Sequence, residues 1–146
     1  MAQVHPQRPD FDAIEVGQEV FESAKVIRRE DVKAYADASG DQNPLHQDDD
    51  FARSVGFPGI IAHGMFSMAH LTKSLKDWAG NPAALRSIKV QFRSVVYMDE
   101  TLVAKGRVAS KNEATKEVTL DVWEELERDG KTVTPIKNSQ AVVSLA

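Results

Sequence analysis

The sequence predicts an α+β fold in which an antiparallel β-sheet wraps around one long central α-helix. Three observations predict it: helical spacing of apolar residues from Ala62 to Ala79, a switch to period two from Leu85 onward, and short turns between the alternating segments. Strands that alternate in this way bury one face, and that face needs an apolar cover, which the helix supplies. With 146 residues, 42% of them apolar and 27% charged, the chain suits one domain with one core, expected over residues 11–146.

Taken in order, residues 1–10 carry Pro6 and Pro9 among polar neighbours and read as a flexible N-terminal arm. A first strand is expected between Gln18 and Arg28, where Val20, Phe21, Val26 and Ile27 fall. In Arg29–Ser39, Val32, Tyr35, Ala36 and Ser39 stand at i, i+3, i+4 and i+7, with Glu30 and Asp31 in the first turn, where the helix dipole favours negative charge. Gly40 ends that helix, because a glycine just past the last turn accepts the left-handed conformation. Asp48, Asp49 and Asp50 then cap a helical turn that ends at Gly56.

Along the central helix, Gly64, Met68, Leu71, Leu75 and Trp78 form the expected inward stripe, and the half before Lys73 is apolar almost all round, so it is expected to be buried. Ile88, Val90 and Phe92 alternate with polar residues, as do Leu102, Ala104, Gly106 and Val108, then Val118, Leu120, Val122 and Leu126. Asp129–Gly130 marks a hairpin turn. The last strand, Val133–Leu145, contains Pro135, which predicts an edge strand or a bulge.

Composition excludes several functions. A formal net charge of −4 lacks the basic excess that a phosphate backbone requires, so nucleic acid is not expected as a partner. No stretch approaches the ~18–20 uninterrupted apolar residues of a membrane span. The start, MAQVHPQRPDF, has no apolar leader, and a soluble cytoplasmic protein is expected. There is no cysteine, which removes disulfides and thiolate nucleophiles. The aspartate run lacks calcium-loop spacing, His63 and His70 lack the zinc-protease pattern, and no G-x-S-x-G occurs; neither metal nor cofactor is expected.

The chemistry concentrates in SGDQNPLHQD. Pro44 fixes its own φ and restricts Asn43, so few loop shapes are open between Asp41 and His46, and across a tight turn both side chains can enter one cleft. The same G-D-x-N-P run equally suits an ordinary turn in which Asp and Asn cap backbone groups. Arg86, Lys89 and Arg93 read as a solvated strand face.

The run Y-A-x-x-S-G-D-x-N-P-L-H-x-D from Tyr35, followed by Gly56–Phe57 and by I-A-H-G-M at Ile61–Met65, resembles the MaoC-like family of (R)-specific enoyl-CoA hydratases and (3R)-hydroxyacyl dehydratases. The resemblance implies a hotdog fold, a substrate that is an acyl-CoA or acyl-carrier-protein thioester, and pairing into a homodimer or heterodimer. It places the catalytic pair on Asp41 and His46, and the oxyanion donor on the backbone N–H of Gly64. Asn43 positions the loop or the water, and no cofactor is implied. Tyr35 and Ser39 are expected to pack and cap, and His63 to be a satisfied core histidine. The acyl lining is expected from Phe66, the apolar helix face and the Trp78–Leu85 connection. Two other readings stay open: the catalytic subunit of a heterodimeric (3R)-hydroxyacyl-ACP dehydratase, and a non-catalytic acyl-thioester binder or hotdog thioesterase.

Overall fold

The switch from helical to alternating periodicity falls where the chain stops being a helix and becomes a sheet. The computed structural model describes residues 8–146; residues 1–7 of the expected arm lie outside the described residues. Arg8 donates to the carbonyl of Ala146. The elements are β1 (Glu19–Val26), α1 (Arg29–Ser39), α2 (Asp49–Ser54), α3 (Gly64–Ala79), β2 (Leu85–Phe92), β3 (Thr101–Asn112), β4 (Glu117–Arg128) and β5 (Lys131–Ser144). All strand pairs are antiparallel, and the sheet order is β1-β3-β4-β5-β2.

Local chemistry sets the boundaries. α1 ends at Gly40, whose φ of 81° is left-handed and whose N–H donates to the carbonyl of Ala36. Asp48 caps α2 by accepting from the N–H groups of Asp50 and Phe51. Asp129 and Gly130 both have positive φ, the requirement of a tight two-residue hairpin.

α3 lies on the sheet and divides its core into two clusters. Leu71, Leu75 and Ala79 meet Val108, Val118, Leu120, Val122, Ala141 and Val143, while Phe66 joins Ile27, Val32, Val96, Leu102 and Leu126. Burying each large side chain contributes about 1.5–3 kcal/mol. The expected stripe is corrected here. The helix begins at Gly64 rather than Ala62, and its buried face is Phe66, Ser67, His70, Leu71, Ser74, Leu75 and Ala79. Ser74 and His70 go inward because each finds a partner: Ser74 Oγ donates to the carbonyl of His70, and His70 Nε2 donates to that of Ser23. Nor is the first half buried all round, since Met65 is 55% exposed.

Pro135 does not mark an edge, because β5 lies between β4 and β2. It marks a bulge. Glu124 opposes Ile136 and Leu126 opposes Val133, so two residues of β5, Thr134 and Pro135, face the single Glu125 of β4, and the proline's missing N–H falls where the ladder is broken.

Glu124 breaks the sheet's inward pattern chemically. It is fully buried between the clusters, beside Ala104 of β3 and Ile136 of β5, and neither carboxylate oxygen has a hydrogen-bond partner among the described residues. Burial pushes its carboxyl up to about 9. Among the described residues, no helix is long and apolar enough to cross a membrane.

Candidate active site

Once Gly40 has turned the chain out of α1, a relay of short side-chain contacts shapes the next six residues. Ser39 Oγ accepts from the N–H of Asp41, Asp41 Oδ1 from that of Asn43, and Asn43 Oδ1 from that of Leu45. Pro44 then opens a 3₁₀ turn, Pro44–His46. The turn reading of G-D-x-N-P therefore holds, and it does not exclude a catalytic role. One carboxylate can accept about four hydrogen bonds, so Asp41 retains capacity after serving Asn43. Asn43 is the N-cap of that turn.

The loop is clamped to the segment that leads into α3. Ile61 donates its N–H to the carbonyl of Leu45, and the Ile61 carbonyl accepts from His46 Nδ1 at 2.7 Å. That bond puts the proton on Nδ1 and leaves Nε2 as the free nitrogen of His46. The ring of His63 stacks on His46 at 3.8 Å between centroids, and its Nε2 lies 3.1 Å from the carbonyl of Asp41, to which it donates. Asp41, His46 and His63 thus offer one nitrogen or oxygen each, all within 4.8 Å of one another. Such a trio could be read as a metal set. The two imidazoles, however, are stacked and tilted by only 26°, so their lone pairs lie in nearly parallel planes, whereas ligands must converge on an ion.

His63 departs from expectation. It is only 2% exposed, as a core histidine would be, but half satisfied, since Nδ1 has no partner among the described residues. Burial lowers its pKa, which keeps the ring neutral. Tyr35 packs against both His63 and Phe66, as its place on the inner face of α1 predicts.

Next to this trio lies a cleft of about 340 Å³, at the small end of the ~300–1,000 Å³ typical of ligand pockets. His46, Gly64 and Ser67 line one side, the segment 92–96 the other, with Pro135 and Ile136 between. Gly64 opens α3, so its N–H belongs to the first turn, where amides lack intrahelical acceptors and the positive end of the dipole lies. A Cβ at this position would come to 3.4 Å from the ring of Phe92.

The expected lining is corrected. Phe66 turns into the second core cluster and the Trp78–Leu85 connection packs elsewhere, so neither lines the cleft. The wall comes instead from segment 93–96, which sequence periodicity passes over. Arg128 fixes that wall: its guanidinium donates twice to Glu100, at 2.8 and 2.6 Å, donates to the carbonyl of Val95, and lies over the ring of Tyr97. Ala62 donates to the carbonyl of Val96, tying the wall to the start of α3.

A model of the MaoC like domain matches residues 12–128. The chain belongs to the MaoC-like family. A 3-hydroxybutyryl-CoA dehydratase of Methylorubrum extorquens is 28% identical over 142 residues, covering 93% of this chain and 89% of that protein. A mitochondrial 3-hydroxyacyl-[acyl-carrier-protein] dehydratase of Arabidopsis thaliana is 36% identical over 86 residues, 58% of this chain; the match spans about half of that relative, 51%. Among solved structures, an (R)-hydratase from A. caviae involved in PHA biosynthesis superposes with a TM-score of 0.81 at 25% identity, covering 92% of this chain and 98% of that one. The five-stranded antiparallel sheet around α3 is the hotdog fold of these MaoC-like neighbours.

Proposed function

We propose that this MaoC-like protein is an (R)-specific hydratase or dehydratase that adds or removes water across the 2,3 double bond of 2-enoyl thioesters in fatty-acid metabolism. The observation that carries the reading is the convergence of Asp41 and His46 beside a cleft that His46 and Gly64, the first residue of α3, both line.

In the hydration direction one of the pair removes a proton from water as its oxygen bonds to Cβ. The π electrons move to Cα and the thioester oxygen, and the other group delivers a proton to Cα. Asp41 is the base and His46 the donor in the assignment favoured here. The exposed Asp41 carboxylate has free lone pairs, and His46, whose Nδ1–H is held by the Ile61 carbonyl, would deliver the proton from Nε2 as the doubly protonated ring and return to the neutral Nδ1–H form. The Gly64 N–H meets charge that develops on the thioester oxygen, and removing such a donor typically costs ~10²-fold or more.

A dimer and a cytoplasmic place of action belong to the same proposal. The dimer is supported by β2, an edge strand whose terminal Phe92 is 49% exposed beside the cleft, with Met65 exposed on the neighbouring helix turn. Such an edge suits a second copy or a related subunit, as in a heterodimeric dehydratase.

The test is loss of enoyl absorbance with crotonyl-CoA and a chain-length series of enoyl-CoA and enoyl-acyl-carrier-protein thioesters, for the wild type, Asp41→Asn and His46→Gln. Each variant is expected to lose ~10²–10⁴-fold in kcat with its fold intact by circular dichroism. Near-wild-type turnover in either one refutes the assignment. Hydrolysis of the thioester without hydration would instead favour a thioesterase.

A further inference from the structure

His63 holds a position whose local chemistry calls for another residue. It is the N-cap of α3, where Ser, Thr, Asp and Asn prevail because their short side chains accept from the first amides of the helix. Its side chain makes no capping bond, and α3 starts instead with its carbonyl accepting from Phe66 and Ser67. The imidazole is turned away from the helix, across to the loop after α1.

There it touches both halves of the acid–base pair. Nε2–H donates to the backbone carbonyl of Asp41 at 3.1 Å, 22 residues away in sequence, and the ring face covers His46 at 3.8 Å. Tyr35 packs on it at 4.9 Å, which restricts its orientation. Its own peptide carbon is bonded to the nitrogen of Gly64. A residue of this kind sees all three parts of the site without lining the cleft.

The arrangement carries a cost, because Nδ1 is buried without a partner among the described residues, and an unmet buried acceptor has lost its bonds to water without replacement. A leucine or phenylalanine would avoid that cost if the position served packing alone. What an apolar ring cannot supply is the hydrogen bond to Asp41.

We infer that His63 is a positioning residue for the proposed reaction. Its Nε2–H holds the Asp41 carbonyl, and its ring holds the plane of His46, so that the loop bearing the pair is registered against the amide of Gly64. The inference deepens the proposed function and rests on it for its kinetic arm, but its structural arm does not.

Two substitutions separate the ring from the donor. His63→Phe keeps a flat ring of similar size against His46 and removes the N–H; His63→Gln places an amide N–H near the position of Nε2 and removes the ring. On crotonyl-CoA hydration, His63→Phe is expected to lose ~10–100-fold in kcat with KM within about twofold, the size expected when a reacting group is displaced by a fraction of an ångström to an ångström. His63→Gln is expected to recover most of that loss. The unfolding midpoint of His63→Phe should equal or exceed that of the wild type, since an unmet buried polar atom is gone.

Amide hydrogen exchange supplies the arm that needs no activity. In His63→Phe the amides of Asn43, Leu45 and His46 are expected to exchange at least ~10-fold faster while those of α3 beyond its first turn are unchanged. A wild type inactive on every enoyl thioester would refute the proposed function and leave the exchange result to decide the role of His63. Full kcat in His63→Phe, or wild-type exchange of the loop amides, would overturn the inference. So would a kcat loss that only tracks a lowered unfolding midpoint.

Discussion

Replacing Glu124 by glutamine should change how the stability of this protein depends on pH. The folded chain holds the carboxyl at about 9 through burial, while the unfolded chain releases its proton near 4.5. Between those values the folded state carries the extra proton, so folding stability falls as pH rises from about 4.5 and levels off above about 9. At about 1.4 kcal/mol per pKa unit, the penalty reaches about 3 kcal/mol at pH 7. Glutamine has nearly the same shape and does not ionise. Urea unfolding of wild type and Glu124→Gln at pH 5, 6, 7 and 8 should show similar stability at pH 5 and a gap in favour of the variant that widens by about 3 kcal/mol by pH 7. The depressed carboxyls of Asp49 and Glu125 and the depressed imidazoles of His63 and His70 are common to both proteins and cancel in the difference. A constant gap from pH 5 to pH 8 would refute the reasoning, because it would mean that Glu124 titrates alike in the folded and unfolded chains.

Two further substitutions follow from glycines that face aromatic rings. Gly64→Ala places a methyl 3.4 Å from Phe92, a contact the ring accommodates, beside the amide to which the proposed reaction brings the thioester oxygen. It is expected to lower kcat/KM for crotonyl-CoA ~10-fold or more while leaving the urea midpoint equal or slightly higher, since alanine favours helix by up to about 1 kcal/mol. Gly106→Ala is the opposite case. Its Cβ would lie 2.5 Å from Cε1 of Phe21, so stability should fall by about 1–3 kcal/mol, measured by the same unfolding. Adding Phe21→Leu should restore part of that loss, a non-additivity expected only if the ring is what the methyl strikes.

Much of this architecture could be read from the chain because local signals agreed with the final fold. α1 was predicted to the residue by Val32, Tyr35, Ala36 and Ser39 and by the glycine that ends it. Asp41, His46 and Gly64 were named from the resemblance to the MaoC-like motif, and the structure gathers Asp41 and His46 within 4.8 Å and places His46 and Gly64 on one cleft. Features that depend on distant partners were not readable. His63 could be taken for a core residue because the carbonyl it serves lies in another element. Segment 93–96 has no periodicity, and it becomes a wall only because Arg128, some thirty residues on, grips it through Val95 and Glu100. A glutamate between Trp123 and Glu125 carries no apolar signal of its own, yet the pleat directs Glu124 inward with Val122 and Leu126. In α3, His70 and Ser74 misled hydropathy for the same reason, since buried hydrogen bonds leave no trace in spacing.

The bulge at Pro135 has a second of its kind in the same strand, for Val122 opposes Ser139 while Glu124 opposes Ile136. Inward side chains on β5 therefore run Val133, Ile136, Ser139, Ala141 and Val143, stepping by three, three, two and two. Each bulge absorbs one residue without exchanging the faces of the strand on either side. Single-residue deletion at Pro135 or next to Asn138, whose φ is positive, would leave the same residues against α3. Loss of a residue anywhere between Gln140 and Ser144 would turn the remainder of the strand inside out. Length variation among related chains should thus gather at these two points, and a deletion library across β5 would show two tolerated gaps in a strand that otherwise admits none.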